Sequence, residues 1–275
     1  RAGIIVRDSG ALERLARIRT AAFDKTGTLT RGEPTVTTVA VSDGHDSAEV
    51  LSLAAAAERL ATHPLASAIT REAARRGLRV PAATQVRETP GAGVLALIDG
   101  RTVKVGTARF AMDTDHFAAR ADQLAARRTA NTHVHVSAGG EALGVIEISD
   151  PVRPEADPTL RQLRQLSVGH TVMLTGDGQA TADRVGKTLG IADVRGGLRP
   201  ENKLQAVHDG CAADAGPVMM VGDGVNDAPV LAAADVGVAM GAKGSAAAVE
   251  SADVIIMEDD LQRVAQAVRI GRRTM

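Results

Sequence analysis

Residues 20–30 read TAAFDKTGTLT, an apolar run that ends in an acid, Asp24, followed at once by a lysine, threonines and a glycine. A continuous apolar run suits a strand of a parallel sheet covered on both faces. Such a strand ending in Asp24 projects a carboxylate at the sheet's C-terminal edge, where open α/β folds gather their reacting groups. On these residues alone Asp24 is a metal ligand, a nucleophile or the cap of a turn.

Other runs repeat the design. TVML precedes Thr175, PVMMV precedes Gly222 and DVIIM precedes Glu258, with the shorter DVGVAM between the last two. Between them lie helical patterns, PTLRQLRQL, ATADRVGKTLG and ENKLQAVHDG, the last two closing on glycine, a common helix stop. Strand alternating with helix predicts a doubly wound α/β domain with a parallel sheet. The first strand is separated from the next by about 140 residues, too many for one crossover. That segment holds two helical patterns, SAEVLSLAAAAERLA and PLASAITREAARRG, and then strand-like GVLALIDGRTVKVGT and THVHVSAGGEALGVIEIS. Its IDGR turn between alternating runs is a hairpin signal. Residues 34–148 are therefore expected to form an inserted α+β domain, and residues 1–33 with 149–275 the domain around it. Prolines in GEP and in SDPVRPEADP mark the hinges.

Composition narrows the function classes. Lys and Arg number 32 against 33 Asp and Glu, a net charge of −1 that is unlike a nucleic-acid-binding surface. There is no Trp or Tyr and only three Phe, which leaves no aromatic platform for stacking bases. The single cysteine, Cys211, excludes an internal disulfide and any CxxC metal site. No run approaches the roughly 20 apolar residues that cross a bilayer. The start at Arg1 rather than Met reads as a piece of something larger.

Asp24 has company. TGDG (Thr175–Gly178) follows the second strand and GDGVNDAP (Gly222–Pro229) the third, which brings Asp24, Asp177, Asp223 and Asp227 towards one crevice. Converging carboxylates repel one another and call for a cation. Mg²⁺, which takes few carboxylates and keeps water and phosphate oxygens, suits them. Phosphoryl transfer also needs donors and positive charge around the moving group. The Thr175 hydroxyl, the backbone amides near Gly176 and the Lys203 ammonium of RPENK could supply them. In Asp-nucleophile phosphatases of the haloacid dehalogenase class, a second Asp two residues after the first serves as general acid/base. Here that place holds Thr26, so water should attack an aspartyl-phosphate slowly. A long-lived phosphoenzyme is useful to a machine that couples phosphorylation to motion.

DKTGTLT, TGDG and GDGVNDAP together resemble the signature set of P-type ATPases, over nearly the whole chain. THPLASAI at Thr62–Ile69, GAG at Gly91–Gly93, GVIEISDPVRPEA and GIIVRDSGALERLARI resemble the heavy-metal (P1B) branch. The resemblance implies a haloacid-dehalogenase-like phosphorylation domain with a nucleotide-binding domain inserted in it. It implies that Asp24, in the Asp24-Lys25-Thr26 motif, attacks the γ-phosphate of ATP. Asp24, the Thr26 carbonyl and Asp223 would hold Mg²⁺ with Asp227 and Asn226 in support. Thr175, Gly176, Asp177 and Lys203 would bind the phosphoryl group, and His63, Gly91 and Gly93 would shape the adenine pocket. The implied partners are ATP, the membrane-spanning and actuator domains of the full-length chain, and a heavy-metal ion bound outside this portion. The implied place is the cytoplasmic face of a membrane. The Thr-His-Pro-Leu form of the motif leans towards zinc/cadmium-type pumps over copper.

Three places depart from the family's common pattern: Thr62 stands where many members have Glu, Thr107 where many have Asn, and TGDG replaces TGDN. VGKT at Val185–Thr188 is not a phosphate-binding loop, since Thr181 stands where its first glycine belongs and the motif falls inside a helical pattern. GAGVLA fails the dinucleotide pattern at Ala96. His133 and His135 share one face of a strand and are expected to be surface histidines rather than a metal site. Two other readings remain at this point. A free-standing phosphatase with a cap domain is disfavoured by Thr26, and a non-catalytic nucleotide sensor by the filled acidic positions.

Overall fold

The computed structural model describes residues 3–112, 131–212, 216–223, 227–241 and 250–274. The chain opens with β1 (Ile4–Val6), α1 (Ser9–Arg17) and β2 (Thr20–Asp24). It continues through β3 (Thr35–Val41), α2 (Ser47–Glu58), α3 (Pro64–Arg75), β4 (Ala83–Thr89), β5 (Gly93–Ile98), β6 (Arg101–Gly106), α4 (Ala108–Ala111), β7 (Thr132–Ala138) and β8 (Glu141–Ser149). It closes with α5 (Ala156–Gln165), β9 (His170–Leu174), α6 (Gln179–Leu189), β10 (Asp193–Arg195), α7 (Pro200–His208), β11 (Val218–Gly222), α8 (Ala228–Ala233), β12 (Val236–Met240), β13 (Val254–Ile256) and α9 (Gln262–Thr274). Two compact units result, one of residues 1–32 with 152–275 and one of residues 33–151.

The first unit is a seven-stranded sheet in the order β1-β13-β12-β11-β2-β9-β10. Every neighbouring pair is parallel except β1 with β13. Each residue of β2, β11 and β12 is buried, as strands covered on both faces require. One face carries Phe23, Met173, Met219, Val221 and Val238 against Leu160, Leu163, Val264 and Val268 of α5 and α9. The other carries Ala22, Val172, Leu174 and Met220 against Ala206, Val207 and Leu231. Helix α6 stops at Gly190, whose φ of +62° is left-handed. Gly186 within it has a packing reason: an added Cβ would lie 2.4 Å from Val194 Cγ2 of β10. VGKT is thus a helix-to-strand contact.

The second unit is a six-stranded antiparallel sheet in the order β3-β8-β7-β6-β5-β4. Its apolar face, including Val94, Ile98, Val105, Val136 and Ile146, packs on Leu51, Ala54, Ala55 and Ile69 of α2 and α3. The IDGR turn is a two-residue hairpin with Asp99 and Gly100 both at positive φ. The unit runs three residues past 148 because β8 extends to Ser149, paired with Thr35. The polar strand β3, TVTTVAV, gave little apolar signal in the sequence. β6 and β5 approach so closely at Gly93 and Gly106 that a Cβ on Gly106 would meet the Ala92 carbonyl oxygen at 2.2 Å.

Gly106→Ala therefore forces backbone apart and should cost about 3 kcal/mol. Urea unfolding of the 275-residue chain is expected to show a lowered midpoint at unchanged slope.

Candidate functional site

β9, β2 and β11 are neighbours and run in one direction, with Asp24 level with Leu174 and Phe23 level with Val221. Asp24 at the end of β2, Thr175 after β9 and Asp223 after β11 are thereby delivered to the same edge. Asp24 is 5% exposed. Lys203 of α7 reaches this edge and donates from Nζ to Asp24 Oδ1 at 2.5 Å and to Asp227 Oδ1 at 3.2 Å. Burial, reinforced by the charges of Asp227 and Asp223 and opposed by Lys203, pushes the Asp24 carboxyl up to about 6. Burial and Asp223 likewise raise Asp227 against the pull of Lys203. Burial works to lower the Lys203 ammonium, but Asp24 and Asp227 outweigh it and hold its pKa above the usual lysine value.

After Asp24 the chain makes a wide turn, Lys25–Leu29, closed by the Thr30 amide donating to the Lys25 carbonyl at 3.0 Å. Gly27 at φ +75° allows the turn, and its missing Cβ would sit 3.5 Å from Asp223 Oδ2. Thr26 is exposed. Lys25, buried, forms an ion pair with Asp177. Thr175 is buried, and its hydroxyl oxygen accepts from the Asp177 amide at 3.1 Å. Gly176 is exposed beside it. Asn226 lies outside the described residues.

The edge thus joins Asp24, Lys203 and Asp227 directly, and sets the Gly27 turn against Asp223. Among the described residues, no three His, Cys, Asp or Glu side chains form a ready metal cage. Mg²⁺ needs less, since it is held by one or two carboxylates, water and phosphate oxygens. A raised Asp24 pKa, driven partly by two neighbouring carboxylates, fits a site short of positive charge.

The second unit holds a cavity of about 430 Å³, bordered by Glu58, His63, Gly91, Gly93, Gly106 and Thr107 among others. His63 is the N-cap of α3: its Nδ1 accepts from the Ala66 amide at 3.1 Å. The proton of a neutral ring then resides on Nε2, which lies 3.1 Å from Glu58 Oε2. Glu58 is 3% exposed, and burial raises its pKa while His63 works to lower it. Sequence reasoning missed Glu58. Its signal was an acid four residues after Ala54 and seven after Leu51, on the buried stripe of an otherwise apolar helix. Thr62 is exposed and does not line the cavity, so the acid facing His63 comes from one helical turn earlier. Thr107 caps α4 by accepting from the Phe110 amide at 3.3 Å. The surface expectation for His133 and His135 is corrected: His135 is 5% exposed and His133 half-buried, with Nε2 3.8 Å from Glu147. His135 lies between Gly106 of β6 and Val145 of β8, and His133 lies beside Glu147 of β8, neighbours that a period-two pattern alone does not reveal.

The haloacid dehalogenase-like hydrolase family model matches residues 18–235. The silver exporting P-type ATPase of Salmonella typhimurium is 39% identical over 278 residues, covering 100% of this chain and 33% of that protein. The zinc-transporting ATPase of Bacillus subtilis is 38% identical over 275 residues, covering 99% of this chain and 42% of that protein. The chain therefore spans a third to two-fifths of these curated relatives. The crystal structure of a zinc-transporting PIB-type ATPase in the E2.Pi state matches with a TM-score of 0.88 at 38% identity, over 99% of this chain and 44% of that one. The catalytic CPx-ATPase domain CopB-B matches with a TM-score of 0.68 at 30% identity, over 98% of this chain and 95% of that one.

Replacing Lys203 by Ala leaves Asp24 and Asp227 without their shared cation and should cost about 2–3 kcal/mol at neutral pH. Asp24 is already raised from 3.8 to about 6 when folded, so stability falls as pH rises through the folded value. Without the lysine the carboxyl rises further. In buffer with chelator, the urea midpoint of the variant is expected to recover on acidification from pH about 7.5 to about 5, more than that of the wild type.

Proposed function

This chain belongs to the haloacid dehalogenase-like hydrolases and, within them, to the heavy-metal P-type ATPases, and we propose that it takes the γ-phosphoryl group of ATP onto Asp24. The observation that carries the reading is a buried Asp24 carboxylate held by Lys203 at the end of a parallel strand, with Thr26 where an acid would promote hydrolysis.

Asp24 presents one carboxylate oxygen to phosphorus. A bond forms between that oxygen and the γ-phosphorus, the bond from phosphorus to the bridging oxygen breaks, and ADP leaves. Lys203 moves its charge between Asp24 and the phosphoryl oxygens, which suits an ammonium already shared by two acceptors. Thr175 and the amides around Gly176 supply further donors, and the Lys25–Asp177 pair fixes that turn relative to the Asp24 turn. Asp24, the Thr26 carbonyl and Asp223 would hold Mg²⁺, with Asp227 and Asn226 supporting. Bound there, the ion neutralises phosphate charge and orients the group for in-line transfer. Thr26 offers no carboxylate to activate water, so the aspartyl-phosphate persists long enough to be used.

The nucleotide is read in the other unit. Gly91 and Gly93 let backbone border the cavity, and His63 and Glu58 furnish its polar end. In the whole protein the phosphoenzyme would drive membrane-spanning and actuator segments on the cytoplasmic side of a membrane, exporting a metal cation held outside this portion. Relatives named for silver, zinc, cadmium and copper are 37–39% identical to it. Such near-equality is expected if the cation's ligands lie elsewhere.

The deciding experiment is acid-quenched labelling with γ-phosphate-labelled MgATP. Wild type is expected to retain acid-stable label that hydroxylamine releases, and Asp24→Asn to retain none. Brisk hydrolysis of simple phosphate esters without such label would instead identify a phosphatase. A fragment of residues 33–151 should gain about 2.7 kcal/mol of stability in ATP at a hundredfold excess over its Kd. The absence of any shift at saturating ATP would refute nucleotide reading by that unit.

A further inference from the structure

Arg153 is an unusual cation for its surroundings. It is 5% exposed, and its fork is spent on the turn that follows Asp24. Nε donates to the Thr30 carbonyl at 3.1 Å and Nη2 to the Gly27 carbonyl at 3.1 Å. Its own amide donates to the Leu29 carbonyl at 2.9 Å, beside an antiparallel bridge between Thr30 and Val152. One residue thus takes up three carbonyls of a turn that has left the strand ladder. A buried guanidinium needs counter-charge. Asp259, after β13, supplies it at 2.6 Å from Nη2, and Glu155 lies 3.6 Å from Nη1.

The turn it holds matters chemically. Gly27 stands against Asp223, and Gly32 closes on Gly27 so tightly that a Cβ on Gly32 would lie 3.0 Å from the Gly27 Cα. The Gly27 carbonyl follows directly on Thr26, so a shift there moves the Thr26 carbonyl and the spacing between Asp24 and Asp223. Lys cannot reproduce the two-pronged donation, since its ammonium is a single point charge.

We propose that Arg153, steadied by Asp259, is a positioning residue for phosphoryl transfer: it fixes the turn Lys25–Leu29 so that Asp24 and Asp223 face one another at working distance. The inference rests on the reading of Asp24 as phosphoryl acceptor. It assigns Arg153 to the turn and not to the nucleotide.

The test uses the 275-residue chain with Arg153→Lys and, because a core variant can fail to fold, Asp259→Asn, whose side chain is 64% exposed. The first readout is hydrogen exchange of the Thr30 and Arg153 amides without nucleotide or metal. Both variants are expected to exchange there about tenfold faster or more, with little change elsewhere. The second is the rate of acid-stable labelling against ATP concentration. The rate at saturating ATP should fall about tenfold to a hundredfold in Arg153→Lys and less in Asp259→Asn, at an unchanged half-saturating ATP concentration. A raised half-saturating concentration at an unchanged rate would make Arg153 a nucleotide ligand and overturn the proposal. So would unchanged exchange at the two amides. A wild-type chain that takes no label at all removes the role of Asp24, and with it the catalytic half of the proposal, while the exchange result separately judges the clamp.

Discussion

Like charges that converge at strand ends are the constraint on which this molecule turns. Asp24 and Asp223 end adjacent parallel strands, and Asp227 follows at the start of the next helix. Burial, reinforced by the charges of Asp227 and Asp223, lifts Asp24 well above an ordinary carboxyl even against the pull of Lys203. Lys203, reaching across from α7, is what lets Asp24 and Asp227 share the edge. A lysine used this way stabilises two buried carboxylates with one charge. Among the described residues, no three His, Cys, Asp or Glu side chains complete a metal cage there.

The neighbouring turn answers a second demand, which is to place backbone as well as side chains. Gly32 lies so close to Gly27 that a Cβ on it would be 3.0 Å from the Gly27 Cα, and Arg153 takes up the carbonyls that the turn leaves outside the sheet. The second unit solves a comparable problem differently. Gly93 and Gly106 bring two strands together beside the cavity, and His63 spends both ring nitrogens, one on capping α3 and one on Glu58. A buried acid paired with a half-buried imidazole gives the cavity a polar end in a protein with no Trp or Tyr.

Much of this was legible in the residues. Buried strands announce themselves as unbroken apolar runs because neither face meets water, and TAAF, TVML and PVMMV all lie in one sheet. Asp24, Thr175 and Asp223 could be placed at one edge because parallel strands share a direction. The short or polar strands β1, β3 and β10 were not legible, since they lack an apolar run. Thr62 drew attention by its place beside His63, yet it points outward. Glu58 went unnoticed because sequence adjacency is a poor guide to which helical turn faces a cavity. His133 and His135 fell on the interior of a sheet whose other face a two-residue period cannot describe.

The sequence by itself determined the alternation of strand and helix, the insertion between two halves of one sheet, and the chemistry available at its edge, because these follow from local periodicity and residue type. Only the tertiary structure decided which charges meet. Lys203 is 179 residues from Asp24, and Arg153 is 126 from Gly27. Bonds between residues so far apart depend on strand order and helix placement, and no local pattern carries that information.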